Sequence, residues 1–131
     1  MATIERFEDI ISWAEARKLN RMVDVFVKEN RFGHDFDLRK QIVRSAGSIM
    51  DNIAEGFERG GNKEFVQFLF IARGSCGELR SQFYRALDKG MVVESEFKEI
   101  SIQLRNISSL ILRLINYLKK SEITGLKFKG R

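Results

Sequence analysis

A chain of 131 residues with one cysteine and no proline is sized for a single domain with its own core, and it has no means of forming an internal disulfide or a multi-cysteine metal site. Hydrophobic residues at 44% against 31% charged residues exclude extended disorder. The lack of proline, which costs about 3 kcal/mol inside a helix, favours long uninterrupted helices. The net charge of +5 raises nucleic acid as a partner, yet residues 119–131 carry Lys119, Lys120, Lys127, Lys129 and Arg131 against Glu122, which is +4 of that total and leaves +1 for the rest. The basicity therefore belongs to the C-terminal end, read either as a solvated, flexible tail over residues 121–131 or as an anion-binding arm.

Four helices follow in chain order. The first is predicted from about Ile4 or Phe7 to Glu29, with Ala16, Leu19, Val23, Phe26 and Val27 on one side. The run Asn30-Arg31-Phe32-Gly33-His34 reads as a turn. The second is predicted from Asp37, as N-cap, to Ala54 or a few residues beyond. Its core stripe is Leu38, Ile42, Ala46, Ile49 and Ile53, and Gly56 to Asn62 is read as the following turn. The third runs from about Lys63 to Lys89, with Phe65, Leu69, Ala72, Cys76, Leu79, Phe83 and Leu87 facing the core and Gly90 as its C-terminal cap. The fourth runs from near Ser95 to Lys119 or Lys120, with Phe97, Ile100, Leu104, Ile107, Ile111, Leu114 and Leu118 inside. Short connections between helices of this length give an all-α, antiparallel, up-down-up-down four-helix bundle over residues 1–120.

The second helix carries a further stripe, Gln41, Arg44, Ser48, Asn52 and Glu55, of short polar side chains unlike an ordinary Lys/Glu back. The third answers with Ala72, Ser75, Glu78 and Gln82, with Gly74 and Gly77 alongside. Antiparallel packing around the 56–62 turn sets Arg44 beside Ser75 and within reach of Glu78, with Gln41 near Glu78, Ser48 near Ala72 and Asn52 near Gln67 or Phe68. Two readings stand: a buried network of Arg44, Ser48, Asn52, Glu55, Ser75 and Glu78 that fixes register, or a ligand or nucleic-acid groove. A sealed Arg44–Glu78 pair implies that Arg44→Ala costs about 3–5 kcal/mol, because it strands a carboxylate.

Catalytic patterns fail on their chemistry. His34 is the only histidine and has no neighbour in sequence with which to share a metal or build a triad. Gly56-x-x-x-x-Gly61 has Asn62 where a phosphate loop needs lysine, and it follows a helix rather than a strand. A di-metal bundle site needs Glu-x-x-His motifs, which are missing. Cys76 sits on the core face as a small hydrophobe, and Trp13 reads as a packing anchor. No catalytic, cofactor-binding or metal site is therefore expected, and no enzyme. Val66, Phe70 and Tyr84 on the third helix, with Phe7, Ile10 and Ile11 on the first, lie off the core faces. Exposed together they predict a homo-oligomer; the alternative is that broader burial inside a monomer uses them. The N-terminus has no signal-peptide pattern and no apolar run nears the roughly 18 residues that span a bilayer, so a cytoplasmic chain with no membrane role is expected.

Several fragments carry a family resemblance. Trp13-Ala14-Glu15-Ala16, the stretch Gln41 to Ile49, Asn52-Ile53-Ala54-Glu55-Gly56 with Arg59, then Phe65, Phe68-Leu69, Ile71-Ala72-Arg73-Gly74-Ser75 and Glu78-Leu79 resemble the four-helix-bundle proteins encoded in intervening sequences of bacterial 23S ribosomal RNA genes, also called the S23 family. The likeness spans roughly residues 5–120. Val43 stands where the family often has a second arginine before Arg44-Ser45-Ala46. The resemblance implies a left-handed antiparallel bundle and a ring-like homopentamer. Through a distant relative, the accessory protein of diversity-generating retroelements, it also implies contact with RNA, DNA or a reverse-transcriptase-like protein. Arg59, Lys63, Lys119, Lys120, Lys127 and Lys129 are then the candidate phosphate contacts. A non-enzymatic oligomeric binding protein is the expectation; a purely structural or protein-interaction module is the alternative.

Overall fold

The structure, a computed structural model, describes residues 4–124, with side chains through Ser121. These residues form four α-helices, α1 Ile11–Lys28, α2 Phe36–Glu58, α3 Asn62–Asp88 and α4 Glu94–Thr124. Each packs against its neighbours in the chain, and α4 closes back onto α1. The result is the expected up-down-up-down bundle. The predicted core stripes are buried, except that Val27 and Leu87 are only half-buried.

Where helices begin and end follows from backbone hydrogen bonding. The first helix starts later than predicted, because the Asp9 carboxylate accepts from the Glu5 and Arg6 amides at 3.3 Å. That bond holds Phe7–Asp9 as one 3-10 turn, and Ile10 is extended before α1 begins. The irregular entry sends Ile4 and Ile10 into the core. Asn30, at φ +54°, closes α1: its amide donates to Val27 and the Arg31 amide to Phe26, both at 3.0 Å. This left-handed stop is one that asparagine tolerates. The N-cap of α2 is Asp35, whose carboxylate accepts from the Leu38 amide at 3.1 Å; Asp37 lies in the first turn instead. Gly90, at φ +75°, ends α3 as predicted, with its amide bonded to Leu87 and that of Met91 to Ala86.

Two connections differ from expectation. Phe32, read as part of a turn, is 1% exposed and packs against Phe83. Gly56 does not break α2, which continues to Glu58, so the turn is Arg59-Gly60-Gly61. Gly56 is there for close approach: a Cβ on it would lie 2.6 Å from the Cβ of Phe68 and 3.1 Å from Cδ1 of Phe65. Alanine at this site gains up to about 1 kcal/mol of helix propensity, but the collision is with an atom next to the backbone of α3 and costs about 1–3 kcal/mol. Gly56→Ala is therefore expected to lower the urea midpoint. A raised midpoint would show that α3 moves aside freely.

At its C-terminal end, α4 passes Lys120 and reaches Thr124. Residues 125–131, with Lys127, Lys129 and most of the expected basic tail, lie outside the described residues. No helix among the described residues is long and apolar enough to cross a membrane.

Candidate functional site

The polar seam between α2 and α3 exists, in a different register. Ser45 Oγ donates to Glu78 Oε1 at 3.1 Å, and the Ser48 and Ser75 hydroxyls meet at 2.9 Å. Asn52 Nδ2 donates to the Ser48 carbonyl at 2.8 Å and to its Oγ at 2.9 Å. Gln41 Oε1 accepts from Arg85 at 2.9 Å rather than lying on Glu78. Ser45 and Ser75 are buried. Buried Gln82 extends the seam with an Oε1 that accepts nothing among the described residues.

Two members of the expected network are not in it. Arg44 is exposed and forms no ion pair with Glu78, itself exposed with Ser45 as its partner. Glu55 is also exposed and bridges to Arg59 at 2.7 Å. At about 100° per residue, Arg44 and Glu55 lie some 140–160° from the Ile42–Ile53 core direction, whereas Ser45 and Asn52 lie only about 60–80° from it. The stripe was too wide to enter one interface. Its inner edge is sealed and its outer edge faces water. Arg44→Ala is thus expected to change stability by no more than about 0.5 kcal/mol, not the 3–5 kcal/mol of a buried pair.

Little in the seam can do chemistry. It offers hydroxyls, side-chain amides and one solvent-facing carboxylate. Cys76, 1% exposed, is no nucleophile at neutral pH, since burial pushes its thiol up to about 12. His34 is exposed, edge-on to Phe36, and the described residues hold no cluster of three or more metal-ligating side chains.

Within the described residues, the candidate phosphate contacts Arg59, Lys63, Lys119 and Lys120 gather at one end of the bundle, where α2 turns into α3 beside the last turns of α4. They do not form a clear positive field. Arg59 pairs with Glu55 and lies 4.0 Å from Glu64, with its guanidinium over Phe68. Lys119 sits over the Phe70 ring at 5.2 Å. Lys63 and Lys120 are exposed. The opposite end of α2 differs. There Phe36, Arg39, Lys40, Val43 and Arg44 line a groove of about 360 Å³, and none of its three cations has an ion-pair partner among the described residues.

Residues 8–113 match the family described as 23S rRNA-intervening sequence protein. The chain belongs to that family. A similar solved structure is a protein with unknown function from the S23 ribosomal protein family of Bacteroides thetaiotaomicron VPI-5482, with a TM-score of 0.73 and 21% identity over 80% of this chain and 98% of that one. That likeness shows the fold. No curated protein matches the chain.

This 23S rRNA-intervening sequence protein has further polar ties that the sequence did not single out. Asn20 Nδ2 donates to the Ala16 carbonyl at 2.9 Å and across to Ala46 of α2 at 2.8 Å. Gln103 Nε2 donates to the Glu15 carbonyl at 3.0 Å, joining α4 to α1. The legible signal for Asn20 is an amide beside the core residues Leu19 and Val23. Gln103 sits beside Leu104 in the same way. Both tie neighbouring helices in register.

Proposed function

We propose that this intervening-sequence protein is a non-enzymatic scaffold that self-associates and takes up its partner on its outer surface. The observation that carries the reading is an outer strip on α3 with no charged residue of its own, although Lys119 of α4 lies over its Phe70 end. Phe70 and Tyr84 are 45% and 51% exposed, and between them on the same face lie Gly74, Gly77 and Ser81, all exposed. A Cβ on either glycine meets nothing within 4 Å. The single chain therefore does not need glycine at these places, although each costs about 1 kcal/mol against alanine in a helix. Close approach by another backbone is what such a surface suits. Part of the predicted apolar surplus is used within the chain, since Val66 and Ile10 are buried and Phe7 packs on Trp13. Phe70, Tyr84 and Ile11 remain exposed.

Sedimentation velocity tests this. An assembly is expected for the native chain, a pentamer by family resemblance. Gly74→Glu with Gly77→Glu is expected to give monomers of unchanged helicity. A native chain that sediments as 15.2 kDa at micromolar concentration refutes the self-associating scaffold. Nucleic acid, or a protein that processes it, is the proposed partner; the cations without carboxylate partners on α2 favour it over a purely structural module. Cytoplasmic residence goes with that partner.

A further inference from the structure

We infer that the groove on the outer face of the first half of α2 is a binding site for single-stranded nucleic acid, with Lys40 and Arg44 on the phosphodiester backbone and Phe36 under a base. The inference deepens the nucleic-acid reading above and rests on it.

Three features of the groove point to this ligand. The first is charge without compensation. Arg39, Lys40 and Arg44 share the groove, no salt bridge among the described residues uses any of them, and Asp37 is the only acidic residue from Phe36 to Arg44. The nearby Asp35 is already engaged by Lys89 and the Leu38 amide. The start of a helix adds a favourable potential for an anion. By contrast, the Arg59 end is interspersed with Glu55, Glu58 and Glu64.

The second is an aromatic ring held in the open. Phe36 is 56% exposed, yet it is fixed by the Arg39 guanidinium 5.2 Å from its centroid and by His34 at its edge. A base accepts stacking on a phenyl ring as well as on a guanidinium plane, whereas a bare anion gains nothing from the ring face. The third is Val43, 45% exposed and in the same groove, which gives an apolar wall. Phosphate contacts alone would leave Phe36 and Val43 unused. A duplex keeps its bases stacked and offers chiefly phosphates to such a surface, so the combination selects an unpaired strand.

Fluorescence anisotropy of the full chain with a labelled oligouridine, at low and at physiological salt, is the test. Binding is expected, weakening steeply with salt. Lys40→Glu with Arg44→Glu is expected to weaken it at least tenfold and to flatten the salt dependence, by about 0.7 in log–log slope for each phosphate no longer neutralised. Phe36→Ala is expected to weaken it about tenfold with the slope unchanged, as removal of a stacking platform should. Because these side chains are exposed, all variants are expected to keep the native melting curve. A duplex of the same length is expected to bind more weakly and to ignore Phe36→Ala. Binding that survives both sets of substitutions and disappears on charge reversal of Lys63, Lys119 and Lys120 overturns this site but keeps the nucleic-acid reading. No binding at low salt overturns both.

Discussion

Phe32→Ala is expected to destabilise the chain by about 3–5 kcal/mol, a large part of the 5–15 kcal/mol typical of a domain. The residue lies in the connection between α1 and α2, where an aromatic is ordinarily spared. Here its ring is 1% exposed and set edge-on to Phe83 at 6.5 Å, with Phe26 on the other ring contact of Phe83 at 5.8 Å. Alanine would leave a cavity under a connection whose backbone is pinned by the Asn30 and Asp35 caps, so the space cannot readily collapse. Urea unfolding followed by far-ultraviolet circular dichroism measures the loss. A cost below about 1 kcal/mol would show that the connection relaxes into the hole.

Arg31→Ala comes next, at about 1.5–3 kcal/mol. Arg31 ties together the two connections at one end of the bundle. Its Nη1 donates to Glu96 Oε2 at 2.9 Å and its Nη2 to the other carboxylate oxygen, while Nε donates to the Met91 carbonyl at 3.1 Å. The guanidinium also lies over Phe26. Both partners are about three-quarters buried, so the loss should exceed that of a surface pair yet fall short of the 3–5 kcal/mol for a fully buried one. The effect depends on pH with a definite sign. Hydrogen bonding to Arg31, then to the Val93 amide, holds the Glu96 carboxyl below its ordinary range. A depressed carboxylate contributes stability that is present above the ordinary glutamate value of about 4.3 and is lost as pH falls through the folded value. The gap between native and variant should therefore be full near neutrality and shrink below about pH 4. A gap that stays constant into strong acid would assign the loss to packing on Phe26 instead.

Much of the fold was legible because a bundle core is written at helical spacing. Ile42, Ala46, Ile49 and Ile53 could face inward together only on a helix, and they do. The polar seam was legible as a kind of surface and not as a set of contacts. Arg44 and Glu78 are complementary in charge, so they read as partners. Yet the stripe spans nearly a quarter of the helix circumference, and only its inner edge, with Ser45 in place of Arg44, meets α3. Gly56 was ambiguous for a different reason. Glycine both ends helices and admits a neighbour closely, and nothing local distinguishes the two; the Phe68 Cβ across the interface does. Phe32 was hidden among turn residues, its own size being the one hint. The residues Phe36, Arg39, Lys40, Val43 and Arg44 stand at helical spacing on the outward side of α2, but the groove was missed because Arg44 read as turned in toward Glu78 and Phe36 lay before the predicted start of the helix at Asp37.

That outward side follows from the register between α2 and α3, which a cross-link reads directly. In a Cys76→Ala background, Ser48→Cys with Ser75→Cys places two thiols where hydroxyls stand 2.9 Å apart, close to the reach of a disulfide. Rapid oxidation to an intramolecular bridge is expected for this pair, with none for Arg44→Cys with Ser75→Cys. A bridge that forms with position 44 and not with position 48 would turn Arg44 inward, restore its pairing with Glu78 and remove the groove from the surface.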